Sequence, residues 1–262
     1  MRTIVITGST RGIGYGLAEA FLERGCAVVV GGRRAESTAA AVRRLADRYG
    51  ADRVFGQPCD VLHHDQIQAL WDAAMQRYGH IDIWINNAGI SNAPDPLWKQ
   101  PAGCPYQVVN TNLVGTMWGA MVALRGMMAQ GSGAVYNLEG LGSDGRHIDG
   151  MAIYGATKAA VRYLDRALAK EVRGTPVIVG ALQPGMVATD MLTSQYEDKP
   201  EDWERVKPIF NILSDRVEDV APWLADRILM NRKNGARISR SSGLRLGFRF
   251  VSSLFRKRQI FD

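Results

Sequence analysis

Residues 3–14 read TIVITGSTRGIG, a short β-branched run that leads directly into a glycine-rich turn and the start of a helical pattern. In such a stretch Gly8 permits a sharp turn, Gly12 lets backbone N–H groups approach a pyrophosphate, and Gly14 allows the helix to pack closely on the strand. The N-terminus of the helix adds a partial positive charge. The stretch therefore predicts a nucleotide-binding turn, and a glycine-rich turn without a ligand is the alternative.

The rest of the chain alternates between short apolar runs and longer amphipathic stretches, which is the pattern of βαβ units. With 262 residues and no internal repeat or linker, the chain suits one large α/β domain. We predict a single-domain, doubly wound Rossmann fold with a seven-stranded parallel sheet and helices on both faces. Strands are expected at residues 3–7, 26–30, 53–57, 81–86, 134–138, 177–182 and 236–239, and helices at residues 13–24, 36–49, 64–78, 106–129 and 154–172.

Residues 186–221 follow the sixth predicted strand, at the edge where parallel sheets place ligand loops. Because this stretch is long and carries Trp203 and Phe210, we expect a substrate lid within a catalytic domain of residues 1–230. An ordinary surface insertion is the alternative. Residues 231–262 are expected to form a basic C-terminal segment that packs on this domain or extends from it.

The net charge of +6 is uneven, because residues 232–262 hold nine Lys or Arg against Asp262 alone. The remainder is slightly acidic, which argues against nucleic-acid binding by the whole fold. No run of eighteen apolar residues occurs, and the three cysteines are an odd number without metal-ligand spacing. The sequence predicts a soluble or peripheral protein of a reducing compartment such as the cytoplasm, with no metal site.

The second predicted strand ends VVVGGRR, where an NAD-specific fold would present a carboxylate to the ribose 2′-hydroxyl. Arg33 and Arg34, together with Arg11 of the glycine-rich turn, offer guanidinium groups suited to a 2′-phosphate instead. The alternative is that the arginines at 33 and 34 are solvated, or paired with Glu36. This strand end favours NADPH over NADH.

Tyr154 and Lys158 stand in the sequence YGATK at the start of a helical pattern. Their i, i+4 spacing puts both side chains on one helix face. The ammonium group can stabilise a tyrosinate and lower the pKa of the phenol, so that Tyr154 could pass a proton to a carbonyl oxygen.

Six motifs occur in one order along the chain: TGSTRGIG, CDV at 59–61, NNAG at 86–89, NLVG at 112–115, YGATK and PGMVATD at 184–190. Together they resemble the short-chain dehydrogenase/reductase family over residues 1–230. The resemblance implies an oxidoreductase that acts as a homo-oligomer. It also implies that Asn112 holds a water against Lys158 and so completes a proton relay from Tyr154. Taken alone, Asn112 reads as a helix-kink amide and Thr189 as a helix cap.

The glycine-rich turn, the arginines and the resemblance together define an expected set of cofactor contacts. Asp60 and Val61 resemble the family's adenine-contacting pair, and residues 184–187 with Thr189 resemble its nicotinamide-contacting segment. The full set is Gly8, Ser9, Thr10, Arg11, Gly12, Ile13, Gly14, Arg33, Arg34, Asp60, Val61, Asn87, Ala88, Gly89, Tyr154, Lys158, Pro184, Gly185, Met186, Val187 and Thr189.

One departure from the family's pattern concerns the catalytic serine, which usually follows the fifth strand in a sequence like NISS. This chain reads NLEGLGSDG at residues 137–145, with Glu139 and Gly140 at those places. A displaced loop could bring Ser143 to the carbonyl oxygen as a hydrogen-bond donor. A turn serine between Gly142 and Asp144 is the alternative. The expected catalytic set is Asn112, Ser143, Tyr154 and Lys158.

The same departure, with PGMVATDML, IFNILSD and the closing RKRQIFD, is similar to the chlorophyll b reductases of that family. This similarity implies NADPH-dependent reduction of the formyl group of chlorophyll b or chlorophyllide b. Two alternatives stay open: a reductase of another bulky apolar aldehyde or ketone, and an NADPH-binding sensor or scaffold with weak catalysis.

The basic stretch LRLGFRFVSSLFRKR, residues 244–258, fits both helical and strand spacing. Leu244, Phe248, Val251 and Phe255 recur at helical intervals with arginines between them. Such a segment could rest on an anionic bilayer, which would suit a lipid-embedded tetrapyrrole. Packing against a neighbouring subunit or roofing the active site is the alternative.

Overall fold

One parallel sheet organises the computed structural model, which describes residues 1–240, 249 and 258–261. Its strands are β1 (Thr3–Thr7), β2 (Ala27–Gly32), β3 (Val54–Pro58), β4 (Ile83–Asn86), β5 (Gly133–Leu138), β6 (Val177–Gln183) and β7 (Ala236–Ser239). Their order is β3-β2-β1-β4-β5-β6-β7, and every neighbouring pair is parallel. The predicted doubly wound, seven-stranded sheet is confirmed.

Helices connect the strands. They are α1 (Gly12–Glu23), α2 (Ala35–Tyr49), α3 (His64–Tyr78), α4 (Cys104–Val109), α5 (Gly115–Gln130), α6 (Ala152–Glu171), α7 (Asp190–Thr193), α8 (Pro200–Leu213) and α9 (Val217–Met230). Helices α3 and α5 end where Gly79 and Gly131 adopt the left-handed conformation. A side chain there would be strained, so these glycines end the two helices.

Two hydrophobic cores lie on opposite faces of the sheet, because successive strand side chains point to opposite sides. Ile4 and Ile6 of β1 belong to the core that includes buried residues of α1, α2 and α9. Val5, between them, belongs to the core that includes α3 and α5. The helices therefore cover both faces, as predicted, and leave the carboxyl ends of the strands for a site.

The helix predicted at residues 106–129 is divided in the structure. A π-helical turn, Asn110–Val114, lies between α4 and α5. The Asn112 amide is tied to the backbone of Ile90: its Oδ1 accepts from Ile90 N at 2.8 Å and its Nδ2 donates to Ile90 O at 2.9 Å. Such turns are frequent at functional sites. The apolar pattern continues through the turn, so periodicity alone does not reveal it.

The segment predicted as a lid, residues 186–221, contains more helix than the sequence interpretation assigned to it. It holds α7, α8 and the first turn of α9. The last of these is core structure, because Val220 and Ala221 are buried together with residues of α1. The residues of this segment that line the cavity extend from Met186 to Asp215 and do not include α9.

The C-terminal segment joins the sheet through β7, which pairs with β6 from Gly180 to Gln183. Residues 258–261 lie against α8: Asn211 Oδ1 accepts from the backbone N–H groups of Ile260 and Phe261 at 2.7 and 2.8 Å. The membrane-contact prediction for residues 244–258 falls outside the described residues except for Arg249 and Arg258. In the described ranges, no helix has the length and apolar character to cross a bilayer.

Packing between α3 and α5 depends on the lack of a side chain at Gly126. A Cβ there would overlap the Trp71 indole, whose Cη2 would lie at 2.6 Å. We expect Gly126→Ala to lower the free energy of unfolding by about 1–3 kcal/mol, because overpacking outweighs the roughly 1 kcal/mol gain in helix propensity. Urea unfolding of Gly103→Ala provides the control: a Cβ at Gly103 meets open space, so stability should change by less than about 0.5 kcal/mol. Equal effects of the two substitutions would contradict this packing argument.

Candidate active site

A large cavity of about 1410 Å³ opens at the carboxyl ends of the strands. It includes the point where strand order reverses between β1 and β4, which is where doubly wound sheets bind ligands. Its walls extend from Gly8 after β1 to Leu138 at the end of β5 and Gln183 at the end of β6. The volume exceeds the roughly 300–1,000 Å³ of common small-molecule pockets, so it can accommodate a nucleotide and a second molecule.

The glycine-rich turn forms one end of the cavity and has the geometry that the sequence predicts. Gly8 has φ +63°, and a Cβ there would lie 2.8 Å from Ala88 Cα. A Cβ at Gly14 would lie 2.5 Å from Gly8 O. No side chain caps the N-terminus of α1, so its first N–H groups are left for an anion. These residues fit the pyrophosphate of a dinucleotide.

The structure brings nearly all of the predicted cofactor residues to the wall of this one cavity. Ser9 is the exception: it is buried, its hydroxyl donates to Ile6 O at 2.7 Å and accepts from Gly31 N at 3.2 Å, so it braces the turn. The residues on the wall are Gly8, Thr10, Arg11, Gly12, Ile13, Gly14, Arg33, Arg34, Asp60, Val61, Asn87, Ala88, Gly89, Tyr154, Lys158, Pro184, Gly185, Met186, Val187 and Thr189.

The carboxyl end of β2 is basic, as the sequence indicates. Arg33 and Arg34 are exposed on the cavity wall, and in the described part of the chain neither forms an ion pair, with Glu36 or with any other residue. Arg11 differs, because its Nη1 lies 3.3 Å from Asp190 Oδ2 at the start of α7. Arg33 and Arg34 are therefore the guanidinium groups that are available to a 2′-phosphate.

Tyr154 and Lys158 lie one turn apart near the start of α6, and both line the cavity. The start of the helix is fixed by Asn92, whose Oδ1 accepts from Tyr154 N at 3.0 Å. The Lys158 Nζ donates to Leu138 O at 2.9 Å and lies 5.7 Å from the centroid of the Tyr154 ring. The helical face predicted from YGATK is thus held at the end of β5.

Burial determines the protonation states of this pair. It raises the pKa of the Tyr154 hydroxyl to about 12. It lowers the pKa of the Lys158 ammonium to about 8, against the opposing charges of Asp165 and Glu139. In this arrangement burial outweighs the expected lowering of the phenol pKa by Lys158, whose ammonium donates to Leu138 O. At neutral pH Tyr154 is protonated and can donate a proton.

The loop after β5 places glycine, and not serine, against the Tyr154 hydroxyl. A Cβ at Gly140 would lie 2.5 Å from Tyr154 Oη. Ser143 does not reach the cavity wall: it is buried, and its hydroxyl donates to Glu139 Oε2 at 3.1 Å. The sequence expectation that Ser143 meets the carbonyl oxygen is not met in this arrangement, because Glu139 binds the hydroxyl.

Asn112 is fully buried behind the cavity, in the π-helical turn. Besides its bonds to Ile90, its Nδ2 donates to Thr157 Oγ1 at 3.2 Å, one residue before Lys158. A Cβ at Gly89 would lie 3.3 Å from Asn112 Oδ1 and 3.8 Å from Lys158 Nζ. Asn112 therefore lies close to the lysine, as the predicted relay requires.

Two buried carboxyl groups lie near Lys158: Glu139, which the sequence places where the family usually has serine, and Asp165, which the sequence interpretation missed. Glu139 accepts from Arg237 of β7 at 2.8 Å. Asp165 lies two turns beyond Lys158 on α6, and its Oδ1 accepts from Asn137 at 2.6 Å. Its Oδ2 is buried and has no hydrogen-bond partner among the residues that the structure describes. Burial raises the pKa of Asp165 to about 8, and the charge of Glu139 adds to this. Only the seven-residue spacing between Lys158 and Asp165 could have signalled the second carboxyl group.

The chain belongs to the short-chain dehydrogenase family, which matches residues 2–200. Members of this family are oxidoreductases, so the predicted family and enzyme class are confirmed. Chlorophyll(ide) b reductase NOL of Oryza sativa subsp. japonica is 40% identical over 231 residues, which are 86% of this chain and 66% of that protein. Probable chlorophyll(ide) b reductase NYC1 of the same organism is 34% identical over 277 aligned residues, 100% of this chain and 54% of that protein.

A crystal structure of a variant actinorhodin polyketide ketoreductase with NADPH has the same fold. Its TM-score is 0.82 at 26% identity, and the match covers 93% of this chain and 97% of that one. Both plant relatives are described as chloroplastic. The chain spans between half and two thirds of their length.

The raised pKa of Asp165 makes stability depend on pH. The folded protein binds this proton up to about pH 8, whereas an unfolded Asp loses it near pH 4. Stability from this group is therefore present at low pH and is lost as pH rises to about 8. Between pH 5 and 9 we expect the free energy of unfolding to fall less for Asp165→Asn than for wild type. The difference should be about 1–3 kcal/mol, because the substitution removes a buried group that must ionise.

Urea unfolding at both pH values measures this difference, and the exposed Asp72→Asn serves as the control that keeps the wild-type dependence. An unchanged dependence in Asp165→Asn would show that Asp165 ionises as an ordinary carboxyl group.

Proposed function

We propose that the protein is an NADPH-dependent carbonyl reductase that converts the formyl group of chlorophyll b or chlorophyllide b to the 7-hydroxymethyl group. The observation that carries the proposal is the joint position of Tyr154 and Lys158 on the wall of a cavity whose other end is the glycine-rich turn. The similarity to two plant proteins with chlorophyll(ide) b reductase names supports the substrate. A reductase of another bulky apolar aldehyde or ketone would use the same groups.

The chain's own residues would manage the proton of this reaction, while a bound nicotinamide would supply the hydride. The carbonyl π bond would break as the formyl carbon gains the hydride, and the oxygen would take the proton of Tyr154. A pKa of about 12 keeps that proton in place at neutral pH until negative charge develops on the oxygen. Lys158 would bind the ribose and stabilise the tyrosinate that remains, and Asn112 would anchor the relay that reprotonates it.

The role of Ser143 differs from that of the other predicted catalytic residues. Its hydroxyl donates to Glu139, which Arg237 also holds. We propose that Ser143 stabilises the loop of residues 139–143 beside Tyr154, and that Gly140 leaves space for the formyl oxygen next to the tyrosine hydroxyl. A direct bond from Ser143 to the substrate would require this loop to rearrange.

The oligomeric state, the compartment and the membrane contact of the protein are predictions from the sequence. We propose a homo-oligomer in a reducing compartment, with peripheral membrane contact through residues 244–258. The three cysteines are free, which suits such a compartment. Sedimentation with anionic vesicles tests the membrane contact, and sedimentation velocity tests the oligomer.

Tyr154→Phe should abolish reduction of chlorophyllide b by NADPH, with at least a hundredfold loss of kcat, because the proton donor is removed. NADPH affinity should change little. Pigment chromatography measures the product, and Tyr163→Phe on the exposed face of α6 is the control that keeps full rate. Turnover by Tyr154→Phe would require a different acid. If wild-type protein binds NADPH and reduces no aldehyde or ketone, the protein is a binding scaffold.

Arg33→Glu with Arg34→Glu should reverse the preference for NADPH over NADH. Each lost charge-assisted contact is worth about 1.5–3 kcal/mol, or about 10- to 100-fold in Kd. Affinity for NADH should change far less, since it lacks the 2′-phosphate. Arg43→Glu, an exposed charge reversal on α2 that does not line the cavity, is the matched control. Equal wild-type affinity for the two cofactors would contradict the assignment.

A further inference from the structure

A group of arginines surrounds Asp215, which lies on the cavity wall just after α8. Asp215 follows α8, and its backbone pairs with the strand-like segment after β6: Asp215 N donates to Met186 O at 2.9 Å, and Asp215 O accepts from Ala188 N at 2.9 Å. Met186 and Asp215 both line the cavity. The arginine group is therefore attached to the segment that the family resemblance assigns to the nicotinamide.

Among the residues that the structure describes, three guanidinium groups converge on this carboxylate. Arg240 Nε lies 3.3 Å from Asp215 Oδ2, Arg249 Nη2 bonds to Asp215 Oδ1, and Arg258 Nη2 lies 3.8 Å away. The negative charge of Asp219 also attracts the Arg258 guanidinium. Residues 241–257 contain no Asp or Glu, so that part of the chain adds no negative charge. The group as a whole carries an excess of positive charge.

Two of these arginines, Arg249 and Arg258, form hydrogen bonds to the backbone that account for their positions. Arg249 donates to Leu213 O at 2.7 Å, and Arg258 donates to Ile212 O at 2.9 Å and Ser214 O at 3.1 Å. They bind the last carbonyl groups of α8 and the residue after it, which suits cations at a helix C-terminus. Arg249 and Arg258 therefore serve to hold the end of α8 in place.

Arg240 differs from these two arginines in that its side chain makes no bond to the end of α8. Its side chain is 11% exposed and lines the cavity. Its backbone is fixed by a bond from Arg240 N to Gln183 O at 2.9 Å, and its guanidinium carbon lies 5.6 Å from the centroid of the Trp223 ring. In the part of the chain that the structure describes, Nε is its only side-chain donor in use. The two terminal nitrogens of a nearly buried fork thus lack an acceptor.

A guanidinium with unused donors on a cavity wall is placed to bind a ligand that supplies the acceptors. The planar fork of arginine matches a carboxylate, which can accept from two nitrogens at once. Asp215 and Trp223 hold the fork in place beforehand, so little side-chain entropy is lost on binding. The excess positive charge around Asp215 favours an anion over a neutral ester.

We propose that Arg240 binds a carboxylate of the carbonyl substrate and thereby selects the free acid over its esters. This inference rests on the proposed function. For a chlorophyll-type pigment it assigns the propionate side chain to Arg240 and the formyl group to Tyr154. The de-esterified pigment, chlorophyllide b, is then the preferred substrate, and the alkyl ester is the poorer one.

The test compares chlorophyllide b with its methyl ester, which carries the same formyl group and lacks the charge. With NADPH, wild-type protein should reduce the acid with a kcat/KM about 10- to 100-fold higher than the ester. Arg240→Gln should lower the value for the acid to that for the ester, mainly through KM, and leave the ester nearly unchanged. Arg240→Lys, which keeps charge without the fork, should retain part of the preference.

Arg227→Gln is the matched control, because Arg227 contacts the same Trp223 ring and does not line the cavity; it should behave as wild type. Equal loss on both pigments in Arg240→Gln, or weakened NADPH binding, would overturn the inference in favour of a structural or cofactor role. So would a wild-type protein without preference for the acid.

Quenching of pigment fluorescence by the NADPH-loaded protein gives affinities independently of turnover. If neither pigment is reduced but the acid still binds more tightly in wild type than in Arg240→Gln, the proposed reaction fails and the carboxylate site stands.

Discussion

The burial of the Lys158 ammonium at the end of β5 is the constraint around which the rest of the site is arranged. A buried charge is tolerated only with hydrogen bonds and opposite charges near it. Leu138 O accepts a hydrogen bond from Nζ, and Glu139 lies close enough to act on its charge, whereas Asp165 keeps its proton up to about pH 8 and adds negative charge only above it. The two carboxyl groups have partners of their own, Arg237 on β7 and Asn137 on β5.

This set of bonds extends across the middle of the sheet. Asn137 accepts from Asn86 at 2.7 Å, and Asn86 accepts from the Trp84 indole at 2.7 Å. A continuous polar chain therefore connects β4, β5 and α6 beneath the cavity. Side-chain networks that are nearly saturated hold a core in one arrangement. The position of Lys158 is thus a property of the whole sheet and not of one helix turn.

The sequence predicted the parts of the structure that local chemistry determines. Glycine spacing, alternating apolar runs and the i, i+4 pair Tyr154 and Lys158 depend on neighbours in the chain, so the sheet and most residues that line the cavity could be predicted directly. Helix α8 was missed although Pro200 and acidic residues mark its start. Pro208 inside it, like Pro222 inside α9, argues against a helix when only the sequence is considered.

Long-range contacts could not be predicted in this way. Glu139 and Arg237 are 98 positions apart, and Asn92 fixes the start of α6 from 62 positions away. The Ser143 hydroxyl was assigned to a substrate because its competitor, the Glu139 carboxylate, has no signature in sequence that shows it turning inward.

The contacts of residues 258–261 with α8 have a consequence for synthesis of the protein. Phe261 packs edge-on against Trp203 at 5.2 Å, and Arg258 holds the carbonyl groups at the end of the same helix. During translation α8 is made before these partners, so its aromatic face lacks their contacts until residues 258–261 emerge. Nascent chains with such faces are prone to association. The contacts that hold α8 at the cavity can therefore form only after residues 258–261 have been synthesised.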